Sequence, residues 1–426
     1  MYAGYELAGW SPVDVIECES RHDPAKSLRL KYYIKTRGKL TDVAKKVAID
    51  ETTGAWVGKG TPGEHFLRAQ ADVSKIEVYA QDEGVIHVHS PVDNMDLSSD
   101  LLYQFLMLTI GGPILEFVYY DGVAFLDFEL PEVVLNALPG PQFGIQGTRE
   151  LLSLDEEIPI IGTIVKPCAG LTTDEVAEKC YQASLGGVRF IKDDEKMMGP
   201  SYCPQEAKVK AVSSRLKSAE EVTGLKTLYA PHVISPPQKM KETCARLVEW
   251  GATALMFNPI VHGLGTLKCL AEDEEIPVPL YAHSGGRSGW STGPRRVDDV
   301  VLAKLIRLAG GDYFQIGVMG QKECHVASLS PEMLLRLNEA FKEPMGQIKD
   351  TVSVTAGGLD PRNLVDNLAA FGPGIMALAG TGILKHPMGI KAGVDAMMQA
   401  AEAHQLGVSV EEYSESHQEL KIALES

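Results

Sequence analysis

Four ionisable residues stand in a row at Lys192-Asp193-Asp194-Glu195, directly after the apolar Val188, Phe190 and Ile191. Such a row is ordinary on a surface turn. At the end of a buried strand it is costly unless the charges are paired or hold a metal. Asp194 and Glu195 offer hard carboxylate oxygens of the kind Mg²⁺ takes, with its remaining positions left to water or substrate. Two carboxylates alone make a weak metal site. Lys192 beside them is a charge partner or, if CO₂ carboxylates its amine, a third ligand. Lys166, in Lys166-Pro167-Cys168, is a solvated cation or, near a metal, an amine of lowered pKa that shuttles protons. Gly357-Gly358 and Gly380-Thr381-Gly382 are turn signals singly; together they suit backbone N–H groups closing on one phosphoryl group.

These residues gain weight from the elements that position them. From about residue 155 short apolar strands alternate with helices: strands at 158–165, 187–191, 226–230, 253–257, 277–282, 312–318, 351–355 and 374–379, each followed by a helical stretch. Near-continuous apolar strands are those covered on both faces, and eight such βα units in about 250 residues predict a (β/α)₈ barrel, an α/β fold. Active sites of such barrels lie at the carboxyl ends of the strands, and loops 7 and 8 commonly hold a phosphate. Lys166, Lys192 to Glu195, His283, Gln315 and both glycine turns all fall at strand ends. An acidic helical stretch, 409–425, follows.

Residues 1–145 read differently. Leu28, Leu30, Tyr32 and Ile34 alternate with charged residues, the period-2 pattern of a half-buried strand. Helices are expected at 39–49 and 99–110, strands at 76–79 and 85–89, and two more strands around 115–128. The mixture predicts an α+β domain ahead of the barrel domain, 146–426. His87 and His89 share one strand face, but no third ligand lies near, and an ordinary strand face is the better reading.

Of the residues, 45% are hydrophobic and 23% charged, as in a soluble globular enzyme. No apolar run approaches membrane-spanning length, and the first residues lack the basic and apolar segments of an export signal. A net charge of −17 argues against nucleic acid as a partner. It leaves room for a small anionic substrate met by a local cationic cluster. Seven cysteines, without a CxxC pair, fit a reduced cytoplasm.

At these motifs the chain resembles the large subunit of ribulose bisphosphate carboxylase/oxygenase (RuBisCO), over nearly its whole length. The most specific match is Gly-Gly-x-x-Phe-x-Lys-Asp-Asp-Glu, residues 186–195. The resemblance implies that Lys192 is carbamylated by CO₂ and binds Mg²⁺ with Asp194 and Glu195. Gly162-Thr163-Ile164-Val165-Lys166-Pro167 is similar to the family's first-strand motif, whose lysine moves protons during enolisation. His283 matches the histidine after strand 5, and Lys322 falls on the lid after strand 6. Gly357, Gly358, Gly380 and Thr381 fall on the phosphate turns. Thr53-Gly54-Ala55-Trp56 resembles the segment lent by a partner subunit, with Asp50 where the family has glutamate and Gln104 where it has asparagine. A head-to-tail homodimer sharing its active site between subunits is therefore implied.

The departures are informative. Family residues are replaced by Cys168 (a lysine), Ser284 (arginine), Arg287 and Gln315 (histidines), Ala356 (serine) and Ala55 (threonine). The glycine-built phosphate site survives, while the second phosphate's cationic site loses charged donors worth several kcal/mol. A bisphosphate is disfavoured unless Arg287 reaches across to it. The reading is a RuBisCO-like protein that is not a carboxylase: a Mg²⁺-dependent enzyme that enolises or isomerises a monophosphorylated ketose, or a related oxo-sugar phosphate, through an enediolate. Lys166, the carbamate or His283 would move the proton. The alternative is a decarboxylase of a β-oxo acid sugar phosphate. Authentic carboxylation and a non-catalytic metabolite-binding role rank below both.

Overall fold

β-Branched and aromatic residues dominate the segments that pair into the first of two sheets. The computed structural model describes residues 11–118, 120–320 and 329–426. Its chain divides into two compact units. The first runs up to Pro139 and adds Gly286–Leu308 and Pro344–Ile348. Its strands are β1 (Asp14–Glu17), β2 (Ser27–Thr36), β3 (Asp72–Ala80), β4 (Glu83–Pro91), β5 (Tyr120–Glu129) and, from much later in sequence, β11 (Arg295–Val297). They pair in the order β1-β3-β4-β2-β5-β11.

The alternation expected in β2 is present on one face, with Leu28, Leu30, Tyr32 and Ile34 buried. Tyr33 is buried on the other face with Val85, Ala124 and Leu126, its hydroxyl donating to Glu83 Oε1 at 2.5 Å. The helix Leu40–Asp50 lays Val43, Ala44, Val47 and Ala48 inward and packs on β3 and β4. Where two strands were expected around 115–128 there is one. Gly111-Gly112-Pro113 punctuates the run, and Pro113 opens a 3₁₀ turn, Pro113–Leu115, ahead of β5.

The second unit contains Gly140–Gly285, Ala309–Glu343 and Lys349–Ser426. All eight expected strands are there: β6 (Ile160–Ile164), β7 (Phe190–Lys192), β8 (Leu228–Ala230), β9 (Leu255–Phe257), β10 (Leu280–Ala282), β12 (Tyr313–Gln315), β13 (Val352–Ala356) and β14 (Met376–Ala379). They are parallel, in the order β8-β7-β6-β14-β13-β12-β10-β9. A parallel bridge between His232 and Met256 joins the two ends into a barrel. Ile160, Phe190, Leu228, Ala230, Met256, Tyr281, Tyr313, Val354 and Leu378 fill its interior. Phe190 stacks on Tyr281 at 5.9 Å and meets Tyr313 edge-on at 5.4 Å, contacts each worth ~0.5–1.5 kcal/mol beyond burial. No helix among the described residues is long and apolar enough to cross a membrane.

Candidate active site

Side chains alternate along a strand, so the residue two beyond an interior one points the same way, one layer nearer the barrel mouth. Phe190 is interior, which puts Lys192 and then Asp194 on the inner face and Asp193 on the outer one. By the same count His232 follows Ala230, Asn258 follows Met256, His283 follows Tyr281 and Gln315 follows Tyr313. The short, fully buried strands thus deliver a ring of polar groups to one end.

Lys192 is 1% exposed. Its Nζ donates to Asp193 O at 3.0 Å, lies 3.4 Å from Met256 Sδ and sits 5.6 Å over the Tyr281 ring. Burial pulls its pKa down to about 8, against the opposing pull of Glu195, Asp194 and Asp193. At pH 8 about half of such an amine is unprotonated, compared with about 0.4% of an ordinary lysine. Only the unprotonated amine can attack CO₂.

Asp194 is fully buried; it accepts from Lys166 Nζ on one oxygen and from the Lys196 N–H, at 2.9 Å, on the other. Burial lowers the Lys166 pKa, but the hydrogen bond and charge of Asp194 outweigh it, so the amine is held above the ordinary lysine value. Of the two expectations for Lys166, this pairing is that of a cation held by a carboxylate; the lowered pKa was expected beside a metal. Glu195 Oε2 lies 3.4 Å from His283 Nε2, and that hydrogen bond, with the charges around it, holds the carboxyl below the usual carboxylate range despite burial. His283 Nδ1 accepts the Gly285 N–H at 3.0 Å, which places the ring proton on Nε2, facing Glu195. Burial lowers the His283 pKa, so the ring is neutral near pH 7.

Asp193, the outward member of the row, is paired with Lys208 and also accepts from Tyr229 Oη at 2.8 Å and the His232 N–H at 3.1 Å. It anchors the strand end and is no candidate ligand. Sequence reasoning missed this anchor, although a signal existed. Lys208 falls on the same helical face as Val212, Leu216 and Ala219, all buried in the helix Gln205–Thr223. His232 and Asn258 were also missed; Asn258 Nδ2 donates to Gly285 O at 3.1 Å and steadies the turn that carries His283.

The glycine turns follow β13 and β14. Gly357 and Gly358 have φ of 102° and 89°, a region open to glycine. A Cβ on Gly382 would lie 2.4 Å from Leu359 O, so only glycine lets the two turns meet. A Cβ on Gly380 would lie 4.0 Å from Lys166 Cγ, which places this turn beside the Lys166 stem. Gly380 N-caps the short helix Thr381–Leu384, whose first N–H groups have no acceptor within the helix.

Trp56, Asp50, Gln104 and Arg287 belong to the first unit. Trp56 is 42% exposed, edge-on to Phe66 at 5.0 Å, and with Asp50 and Lys46 lines a cavity of about 480 Å³. Gln104 exchanges hydrogen bonds with the Asp96 backbone, at 2.7 and 2.9 Å, so its amide is committed to a local turn. Arg287 is buried with its Nε 3.5 Å from Asp299 Oδ1. Lys322 lies outside the described residues.

A parallel eight-stranded barrel with a buried lysine, two carboxylates, a histidine and glycine turns at its carboxyl end defines a barrel enzyme of the RuBisCO kind. Residues 144–426 match the family model described as ribulose bisphosphate carboxylase large chain, catalytic domain, and the chain belongs to that family. It is 30% identical to the ribulose bisphosphate carboxylase of Methanosarcina barkeri over 441 residues, 100% of this chain and 99% of that one. It is 31% identical over 428 residues to the 3-oxo-isoapionate-4-phosphate decarboxylase of Rhizobium etli, covering 93% and 98%. A 30% identity over 393 residues relates it to the 2,3-diketo-5-methylthiopentyl-1-phosphate enolase of Bacillus mycoides, covering 87% and 91%. The solved dimeric archaeal Rubisco from Hyperthermus butylicus superposes with a TM-score of 0.85 at 27% identity, over 95% of this chain and 96% of that one.

Proposed function

We propose that the protein is a Mg²⁺-dependent enzyme that enolises a monophosphorylated ketose or related oxo-sugar phosphate and does not fix CO₂. The observation that carries this reading is Lys192: a buried lysine whose pKa is brought down to about 8, two residues from the buried Asp194 and three from Glu195. The donor set fits the metal: Asp194 and Glu195 give hard oxygens, and carbamylation turns the cationic Lys192 into a third. In that step the Lys192 nitrogen bonds to the carbon of CO₂ and releases one proton to solvent. Mg²⁺ held there supplies Lewis acidity toward the substrate's oxygens.

Lys166 is the proton carrier in this reading. His283 has both nitrogens committed, to Gly285 and Glu195; Lys166, though paired with Asp194, keeps 41% of its side chain exposed beside the Gly380 turn. The turns at Gly357, Gly358, Gly380 and Thr381 take the phosphate. A single phosphate is favoured because Gln315 brings no charge. Its Oε1 accepts from Tyr281 Oη at 3.3 Å and its Nε2 donates to Ala356 O at 3.4 Å. A homodimer, with Asp50 and Trp56 lent to the partner's barrel, completes the proposal; the dimeric archaeal relative supports it.

The test is proton NMR in D₂O of ketose 1-phosphates, methylthioribulose phosphate among them, with enzyme, Mg²⁺ and bicarbonate. Metal-dependent exchange of a carbon-bound proton, abolished by Lys192→Ala, is expected. No exchange on any of them refutes the isomerase reading. The decarboxylase reading, favoured by the 31% identity to the Rhizobium etli enzyme, then predicts CO₂ release from a β-oxo acid sugar phosphate.

A further inference from the structure

His232 stands on the inner face of β8's extension, one layer nearer the mouth than Ala230, which is in register with Lys192. Its bridge partner Met256 is the residue whose Sδ lies 3.4 Å from Lys192 Nζ. The backbone here is fixed: the His232 N–H donates to Asp193, and its carbonyl accepts from Gln205 Nε2 at 2.6 Å. The residue is 8% exposed, and its Nδ1 is buried with no hydrogen-bond partner among the described residues. Burying such a group unpaired is destabilising unless something in the working state satisfies it. Burial also brings its pKa down to about 4, with Lys192 and His283 adding to the effect, so the ring is neutral and remains a donor.

The groups that meet Lys192 Nζ are acceptors, which suit the N–H of an amine and not the anion that replaces it. Asp193 O and Met256 Sδ are acceptors, and a carbamate anion needs donors. The Nε2 proton of His283 is already directed at Glu195. Beside it, His232 has a ring nitrogen, Nδ1, without a partner among the described residues.

We infer that His232 is a positioning residue that donates a hydrogen bond to the carbamate formed on Lys192 and so sets how readily the site takes up CO₂. This rests on the carbamate reading proposed above. The test is ¹³C NMR of the full chain titrated with ¹³C-bicarbonate, with and without Mg²⁺, for wild type, His232→Leu and His232→Asn, and with Lys192→Ala to assign the signal. Thermal melting is followed alongside. Removing one hydrogen bond to a charged group predicts that His232→Leu needs about 10- to 100-fold more CO₂ for the same adduct. His232→Asn, which keeps an N–H donor, recovers most of the loss. Equal uptake by His232→Leu and wild type overturns the inference. A folded His232→Asn as defective as the Leu variant also overturns it. No adduct in wild type overturns the carbamate reading itself, and this inference with it.

Discussion

Replacing Lys208 by methionine tests the anchor beneath the metal candidates. Asp193 is 0% exposed and Lys208 1%, and among the described residues the other donors to the Asp193 carboxylate are Tyr229 Oη and the His232 N–H. Methionine keeps the stem's packing and leaves a buried carboxylate without its counter-charge, a change that costs about 3–5 kcal/mol. The same helix carries a control. Lys210 pairs with Glu206 at 2.6 Å, but the two side chains are 56% and 49% exposed, so Lys210→Met changes stability by no more than about 1 kcal/mol. Urea unfolding followed by circular dichroism separates the two. Adding Asp193→Asn to Lys208→Met recovers much of the loss, because the orphaned charge is gone while the amide oxygen accepts the His232 N–H and the amide nitrogen donates to Tyr229 Oη. If Lys208→Met and Lys210→Met are indistinguishable, the buried pair is not the anchor described.

Two further predictions concern positions away from the reacting groups. Gly393 lies within the helix Ile390–Leu406, where alanine is the better helix former by about 1 kcal/mol. A Cβ there would stand 2.2 Å from Ile383 O, in the helix that follows Gly380, so Gly393→Ala lowers stability by about 1–3 kcal/mol; a raised melting temperature refutes the packing. Glu51, in the first unit, has its pKa pushed up to about 7 by burial and by the charge of Asp50, while the Ile114 N–H opposes the shift. The native state therefore keeps a proton that the unfolded chain has lost, and stability falls as pH rises from about 4.5 to 7. Glu51→Gln raises the melting temperature at pH 8 and flattens that slope, and an unchanged slope counts against the burial.

The barrel was legible because both faces of its strands are covered: apolar runs such as Leu228-Tyr229-Ala230 and Met376-Ala377-Leu378 need no partner to be recognised. Polar residues clustered at the ends of those runs gave Lys166, Lys192, Asp194, Glu195 and His283. What stayed hidden depends on contacts distant in sequence. Strand β11 is Arg295-Arg296-Val297, without an apolar pattern; Arg295 reaches the carbonyls of Leu115 and Phe117 at 2.6 and 2.9 Å, beside its pairing with β5. The Asp193–Lys208 pair joins a strand to the next helix, and adjacency in the row Lys-Asp-Asp-Glu hid the fact that its first aspartate points outward. The sign of the Lys166 shift turned on its pairing with Asp194, which spacing alone does not reveal.

In the proposed function, Lys192, Asp194 and Glu195 form a metal site completed by CO₂. Mn²⁺ binding followed by electron paramagnetic resonance at pH 8, with and without bicarbonate, addresses it directly. The account predicts saturable Mn²⁺ binding that tightens with bicarbonate in wild type, while Lys192→Ala shows no bicarbonate effect. Mn²⁺ binding that is indifferent to bicarbonate in wild type, or that responds to it equally in Lys192→Ala, contradicts the account.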